Sequence, residues 1–200
     1  MIRVVIAEDQ DLVLGALGAL LEMDSGITVV GQSANGTEAM GLIETLKPDV
    51  VVTDIEMPGM TGLDIALRIQ AEKLTSRVLI VTTFGRPGYL QRAMRAGVLG
   101  YLLKDTPAEE LSSAVRRVAQ GERVVSSDLA AQAWGVEDPL TEREREALRL
   151  AETGQSSKEI ARNLNISPGT VRNYLHEAMQ KLGVNNRIEA ARIARHHGWL

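Results

Sequence analysis

Through the first 120 residues, short β-branched runs alternate with longer stretches of helical period. The runs are residues 3–7, 27–32, 49–53, 77–82 and 100–103, each apolar through its middle and bounded by turn residues. Continuous apolar runs of this length fit strands buried on both faces, and their alternation with helices predicts a parallel sheet covered on both sides. Right-handed crossovers then give an α/β, doubly wound, five-stranded domain over residues 1–120. Ligands in such folds sit outside the carboxyl ends of the strands.

From Leu140 the pattern changes to helices alone. Thr141-Glu-Arg-Glu144 reads as a capping box, with Leu148 and Ala151 continuing the apolar face. Ser156 or Ser157 caps a second helix, whose Ile160, Ala161 and Leu164 point inward, and Asn165-Ile166 makes a tight turn. Ser167-Pro168 supplies a cap followed by proline at the first helical position, and Val171, Leu175, Met179 and Leu182 form the inward stripe of a third helix. A fourth helix follows Asn186. Two short helices joined by a tight turn in so small a bundle predict a helix-turn-helix domain over residues 139–200. Residues 121–138 then read as a linker, in which Asp128 to Trp134 has room for one or two helical turns.

Composition narrows the classes. The 200 residues contain no cysteine, which excludes disulfide scaffolds, thiolate zinc sites and cysteine nucleophiles. Aromatics at 3% argue against stacking platforms for single-stranded nucleic acid. The opening residues 2–7 are too short an apolar run for a signal sequence, and the uncharged stretch from Leu12 to Leu21 is about half a membrane span, so a cytoplasmic chain with no membrane contact is expected. Charge is unevenly spread. Residues 1–120 hold 11 Lys/Arg against 15 Asp/Glu, residues 121–138 one against four, and residues 139–200 ten against seven. An acidic body with a basic C-terminal quarter predicts that the second domain faces a polyanion.

Each predicted strand end carries a distinctive polar group. Glu8 and Asp9 follow the first strand, Asp54 the third, Thr82 closes the fourth and Lys104 follows the fifth. In a parallel sheet these positions converge on one edge. Three carboxylates gathered there repel unless a cation neutralises them, and Mg²⁺ with oxygen ligands and retained waters fits best. The Lys104 ammonium suits a phosphoryl oxygen, and the Thr82 hydroxyl is a directional donor. Together they suit phosphoryl transfer to a carboxylate. No glycine-rich phosphate loop follows the first strand, and two acids there would repel a pyrophosphate.

Residues 1–120 resemble the receiver domain of two-component response regulators. The paired acids, Asp54 with Met57-Pro58-Gly59 after it, the Val81-Thr82-Thr83 run and the Tyr101–Asp105 run stand in the family's order. The resemblance implies a flavodoxin-like fold in which Asp54 accepts a phosphoryl group from a sensor histidine kinase. It also implies that Glu8, Asp9 and Asp54 hold Mg²⁺ with the backbone carbonyl of Glu56, and that Thr82 and Tyr101 form the switch pair beside Lys104. Asp105 stands where many receivers have proline. An enzyme of the haloacid-dehalogenase type, the rival from a different class, wants an Asp where Glu56 stands. A phosphorylation-independent DNA-binding regulator is the other alternative.

The first helix, residues 12–21, is uncharged on every face. With Val13, Leu17, Leu20 and Leu21 given to the core, Leu14, Gly15, Gly18 and Ala19 are expected to face outward, and Leu14 and Gly18 to support phosphorylation-favoured homodimerisation with help from the fifth helix. In the second domain the inward stripe of the third helix leaves Thr170, Arg172, Asn173 and His176 to read bases of double-stranded DNA. Lys158, Lys181 and Arg187 are placed for phosphates. Residues 140–200 resemble the LuxR-type (NarL/FixJ) DNA-binding domain through the runs LTEREREAL, KEIARNLNIS, GTVRNYL and KLGVNNRIEA. The resemblance implies promoter binding rather than enzymatic activity, with Arg172, Asn173 and His176 at the base-reading positions. Within the class, IAEDQ, DIEMPG, TTFGRPGYLQRA and TVRNY are most similar to the membrane-fluidity regulators that control a fatty-acid desaturase.

Overall fold

A computed structural model describes residues 1–83, 85–126, 129–130 and 138–200. The chain divides into two compact units, residues 1–85 with 90–131 and residues 86–89 with 132–200.

In the first unit, strands β1 (Ile2–Ala7), β2 (Ile27–Ser33), β3 (Val50–Thr53), β4 (Arg77–Thr82), β5 (Gly100–Leu103) and β6 (Val124–Val125) pair in the order β2-β1-β3-β4-β5-β6, all parallel. The five expected strands are present with ends moved by a residue at most. The sixth corrects the expected count. It is only two residues long, too short to give a period, and is held through the Val124 N–H to the Leu99 carbonyl at 2.8 Å. Helices α1 (Asp11–Glu22), α2 (Gly36–Leu46), α3 (Gly62–Ala71), α4 (Pro87–Arg95) and α5 (Ala108–Ala119) connect the strands. Helix α1 packs with α5, and α2 with α3. Strand β3 is buried along its length and β1 from Val4 to Ala7, because both faces are covered there. Successive strands are added to one side of β1 and then to the other, so the crevice at the carboxyl ends of β1 and β3 is the topological switch point.

The rotation of α1 differs from the expectation. Leu17, Gly18 and Leu21 are its buried residues, and Leu14 packs against the same core cluster. These positions fall at i, i+3, i+4 and i+7, one face of a helix. Gly18 is therefore turned inward, with the Gln32 side chain against its Cα, and Leu14 is half-buried; neither faces outward. The outer face consists of Leu12, Gly15, Ala16 and Ala19, with Met23 just beyond the helix end. Leu12 and Met23 are 86% and 83% exposed. With no charged side chain between Asp11 and Glu22 at its two ends to mark a solvent face, sequence pattern alone leaves the rotation of this helix undetermined.

The second unit contains α6 (Glu142–Glu152), α7 (Ser157–Asn163), α8 (Pro168–Lys181) and α9 (Arg187–His196). Each start is fixed by the side chain that the sequence supplies. Thr141 and Ser156 form capping boxes with Glu144 and Glu159, Ser167 caps α8 ahead of Pro168, and Asn186 accepts from the Ile188 N–H. Asn165 takes the left-handed conformation (φ 53°) that the turn between α7 and α8 requires. Leu148, Ile160, Val171 and Leu175 meet in the core of this unit. Most of the linker segment expected to form helical turns lies outside the described residues.

A further tie closes this unit. Glu144, 1% exposed, takes the Thr141 N–H at 2.7 Å and the Lys181 ammonium at 2.7 and 2.8 Å. Burial pushes its carboxyl up, but the hydrogen bonds from Lys181 and Thr141 outweigh it and hold the group below its ordinary value of 4.5. A depressed carboxylate stabilises the fold above its unfolded pKa, and that contribution is lost as pH falls through the folded value. Thermal melts of the full chain are expected to show a stability loss below about pH 4.5 that Glu144→Gln flattens. An unchanged acid limb in the variant would contradict the assignment.

Candidate phosphoacceptor and DNA-binding sites

Parallel register brings the strand ends of the first unit together. Ala7 pairs with Thr53, so Glu8 and Asp54 leave adjacent strands side by side. The Asp54 N–H donates to the Ala7 carbonyl at 2.9 Å, and the Glu8 N–H to Ser33 at 3.1 Å. Lys104 leaves β5 with its N–H on the Thr82 carbonyl at 2.8 Å. Its ammonium reaches Asp54 Oδ2 at 2.8 Å and Glu8 Oε1 at 2.9 Å. Asp54 Oδ1 accepts the Ile55 N–H at 2.6 Å. The three groups that the sequence places more than 45 residues apart thus share one buried cluster, with Glu8 and Asp54 at 0% and 5% exposure.

The electrostatics follow from that burial. Desolvation raises the Glu8 carboxyl above its ordinary value, the Asp54 charge adds to the effect, and the Lys104 ammonium and the Gln10 N–H resist it. For Lys104, burial works against the charge. The hydrogen bonds it donates to Asp54 and Glu8 outweigh it, and the ammonium is held above its usual value.

Asp9 completes a set of carboxylates. Glu8, Asp9 and Asp54 each offer an oxygen, all within 4.8 Å of one another. Asp9 is exposed, so the cluster has an open side. Glu8 Oε2 lies 2.8 Å from Lys104 Nζ, yet it is buried and accepts no hydrogen bond of good geometry. An all-oxygen donor set with an orphaned buried oxygen and a solvent-facing member fits a hard divalent cation that keeps some of its waters. Glu56, the remaining expected member, lies in the loop after β3 and is half-buried; its carboxylate is not part of the cluster.

Thr82 and Tyr101 are both fully buried. Ile80 pairs with Tyr101 and Thr82 with Leu103, so Thr82 and Tyr101 lie diagonally on one face of the sheet. Beneath Asp54, the chain is set by Gly62, which sequence reading did not single out. A Cβ there would collide with the Asp54 carbonyl oxygen, to which the Thr53 hydroxyl also donates at 2.8 Å. Thr61 opens α3 at this point in a capping box with Asp64. Gly62→Ala is expected to cost about 2 kcal/mol by overpacking and to slow phosphoryl uptake by shifting Asp54. Urea denaturation at wild-type midpoint would contradict this.

In the second unit, Arg172, Asn173 and His176 of α8 and Lys158 of α7 are exposed. Thr170 is half-buried, its N–H capped by Ser167 at 3.0 Å and its hydroxyl 2.9 Å from the Ser167 hydroxyl, so it also serves the helix start. Arg187 opens α9 and shares a hollow of about 410 Å³ with Ser157, Arg172, Asn185 and Asn186. Lys181, at the C-terminal end of α8, is exposed, and its ammonium pairs with the buried Glu144 carboxylate. No helix among the described residues is long and apolar enough to cross a membrane.

Comparison with known proteins identifies both domains. Residues 4–116 match the family described as response regulator receiver domain, and residues 138–194 match bacterial regulatory proteins of the luxR family. An uncharacterized transcriptional regulatory protein of Bacillus subtilis, YvfU, is 50% identical over 200 residues, covering 100% of both chains. The transcriptional regulatory protein DesR of the same organism is 47% identical, covering 100% of this chain and 99% of its own. Among solved structures, the RcsB response regulator of Salmonella typhimurium, described for its conformational dynamism in DNA interaction, superposes with a TM-score of 0.76 at 28% identity over 98% of each chain.

Proposed function

The chain belongs to the DNA-binding response regulators of two-component systems, the LuxR-type class, and from that premise we propose that phosphorylation of Asp54 drives it to pair and to bind promoter DNA. Its relatives are transcriptional regulators, not enzymes. One observation carries the proposal: Asp54 is buried beside Glu8 and Lys104 at the topological switch point, with its Oδ2 on the Lys104 ammonium.

In the proposed transfer, a carboxylate oxygen of Asp54 attacks phosphorus as the bond to the kinase's phosphohistidine nitrogen breaks; the electron pair stays on that nitrogen, and with the other ring nitrogen protonated the imidazole leaves neutral and the aspartate becomes an acyl phosphate. Glu8, Asp9 and Asp54 would hold Mg²⁺ with the Glu56 carbonyl, and the ion would supply charge neutralisation when bound. Lys104 holds the Asp54 oxygen before transfer and is placed to neutralise a phosphoryl oxygen after it. Thr82 then turns its hydroxyl toward the new group, and the Tyr101 ring fills the space that is left.

The dimer is proposed to form on the outer face of α1. Leu12, Ala16 and Ala19 present an uncharged stripe there, beside a hollow of about 340 Å³ between α1 and α5 lined by Leu12, Val13, Ala16, Leu20 and Leu111. A second copy of the same stripe would meet it isologously. Pairing raises DNA affinity by making the second half-site intramolecular. In the cytoplasm, the finer proposed target is a fatty-acid desaturase gene, on the resemblance of the runs quoted above.

Sedimentation and mobility shift test the reading together. With Mg²⁺ and acetyl phosphate the wild type should move from monomer to dimer and bind its promoter more tightly, while Leu12→Glu should stay monomeric although phosphorylated. A wild-type monomer at micromolar concentration under those conditions, or a dimer in Leu12→Glu, would contradict it.

A further inference from the structure

Lys181 stands at the C-terminal end of α8, the helix whose other end carries Arg172, Asn173 and His176. Its charge and position fit a contact to the DNA backbone. Its geometry fits something else. The ammonium lies 2.7 and 2.8 Å from the two oxygens of Glu144, a carboxylate with 1% exposure in the first turn of α6. Glu144 is fastened to α6 in turn, since Oε2 takes the Thr141 N–H at 2.7 Å and its own N–H is capped by the Thr141 hydroxyl. The same turn of α6 is pinned a second time by Arg145, whose Nη1 donates to Asp138 Oδ2 at 2.6 Å and to the Leu140 carbonyl at 2.7 Å.

We propose that Lys181 is a positioning residue for base reading: through Glu144 it bolts the C-terminal end of the recognition helix to α6, and it makes no phosphate contact. The argument is one of alternatives. Were the ammonium to leave for a DNA phosphate, it would strand a buried carboxylate without its cation, the most costly way to break such a pair. While it stays, the distal end of α8 is held in one place. The presentation of Asn173 and His176, two and one helical turns away on the same rod, then depends on that end. The hydrophobic stripe of Val171 and Leu175 packs the helix, but apolar contacts alone tolerate rotation and sliding that directional charged hydrogen bonds do not.

This inference rests on the reading of α8 as the DNA-reading helix, and the two can fail separately. The probe is the duplex that the wild-type full chain itself selects from a random-sequence pool under phosphorylating conditions. If no duplex is selected, the DNA-binding reading fails and the inference falls with it. If one is selected, affinity is measured against salt concentration for five variants. Lys181→Gln should bind about tenfold more weakly with the salt slope of the wild type, and Lys181→Arg should restore binding. Lys158→Gln, the control for a backbone contact, should lower the slope by about 1.

Glu144→Gln separates the alternatives by sign. It keeps a side chain suited to the capping box but loses the charge that holds Lys181. A positioning lysine makes this variant bind more weakly; a phosphate-contacting lysine, released from its partner beside a now less negative surface, makes it bind more tightly. Because either single change can loosen the fold, the double variant Glu144→Gln with Lys181→Met provides the last arm. A neutral pair that keeps the helices packed should return affinity to within about threefold of wild type, which no lost phosphate contact allows. A reduced salt slope in Lys181→Gln, tighter binding by Glu144→Gln, or a double variant no better than Lys181→Gln would each overturn the proposal.

Discussion

Asp54→Asn is expected to abolish phosphoryl uptake from acetyl phosphate and Mg²⁺ while leaving the fold intact. The carboxylate takes the Ile55 N–H on Oδ1 at 2.6 Å and the Lys104 ammonium on Oδ2 at 2.8 Å; the single amide oxygen keeps one of these, so part of the local hydrogen bonding survives. The nucleophile does not, because an amide oxygen lacks the charge to attack phosphorus. Removing one of two neighbouring buried carboxylates also relieves Glu8, whose raised pKa comes first from burial and in part from the Asp54 charge. The apo variant should therefore melt no lower than wild type. Under phosphorylating conditions it should remain monomeric and bind promoter DNA at least 10²-fold less tightly than the phosphorylated wild type, roughly the gain expected from linking two half-sites. Promoter binding equal to wild type would mean that the receiver acts without phosphorylation.

Lys104→Met is the second change with a large expected effect, and its size depends on the cation. Methionine keeps most of the apolar stem but removes the ammonium that sits between Glu8 and Asp54. Two carboxylates with 0% and 5% exposure then face one another, and one must take up a proton or draw in a cation. In chelator, denaturant unfolding should show a loss of about 3 kcal/mol, the scale for stranding a buried charge. Mg²⁺ should restore much of that loss, more than it stabilises the wild type, because in the variant it supplies the only nearby positive charge. Phosphoryl uptake should be slowed, and the product should fail to shift the chain toward dimer. Equal stability of variant and wild type in chelator would contradict the role given to Lys104.

What the sequence disclosed and what it withheld divide along physical lines. Glu8, Asp54, Thr82 and Lys104 were legible because each is a polar group closing an apolar strand, and parallel pairing forces all strand ends to one rim. The four helix starts of the second unit were equally plain, since Thr141, Ser156, Ser167 and Asn186 act on amides two or three residues away. Interactions that span the chain were not. The partner of Lys181 is 37 positions distant, and nothing local distinguishes a lysine aimed at phosphate from one holding a buried glutamate. The rotation of α1 was hidden for a different reason. A helix apolar on all sides between its charged ends lets Leu14 or Leu12 face solvent with equal plausibility, and only the packing of Leu17, Gly18 and Leu21 against the sheet decides it. The seat that Gly62 gives Asp54 is nearer in sequence, yet it too is invisible until the loop between them folds the start of α3 back onto the end of β3.

The most direct test of the account is to locate the phosphoryl group chemically. Full-length protein is incubated with Mg²⁺ and acetyl phosphate, reduced with borohydride to convert an acyl phosphate to a stable alcohol, and digested for peptide mass mapping. The predicted outcome is homoserine at position 54, dependent on Mg²⁺ and lost when Glu8 and Asp9 are replaced by Gln and Asn. Modification at another carboxylate, or reduction at position 54 that proceeds equally well in chelator, would contradict the central claim that these strand ends form one cation-assisted phosphoacceptor.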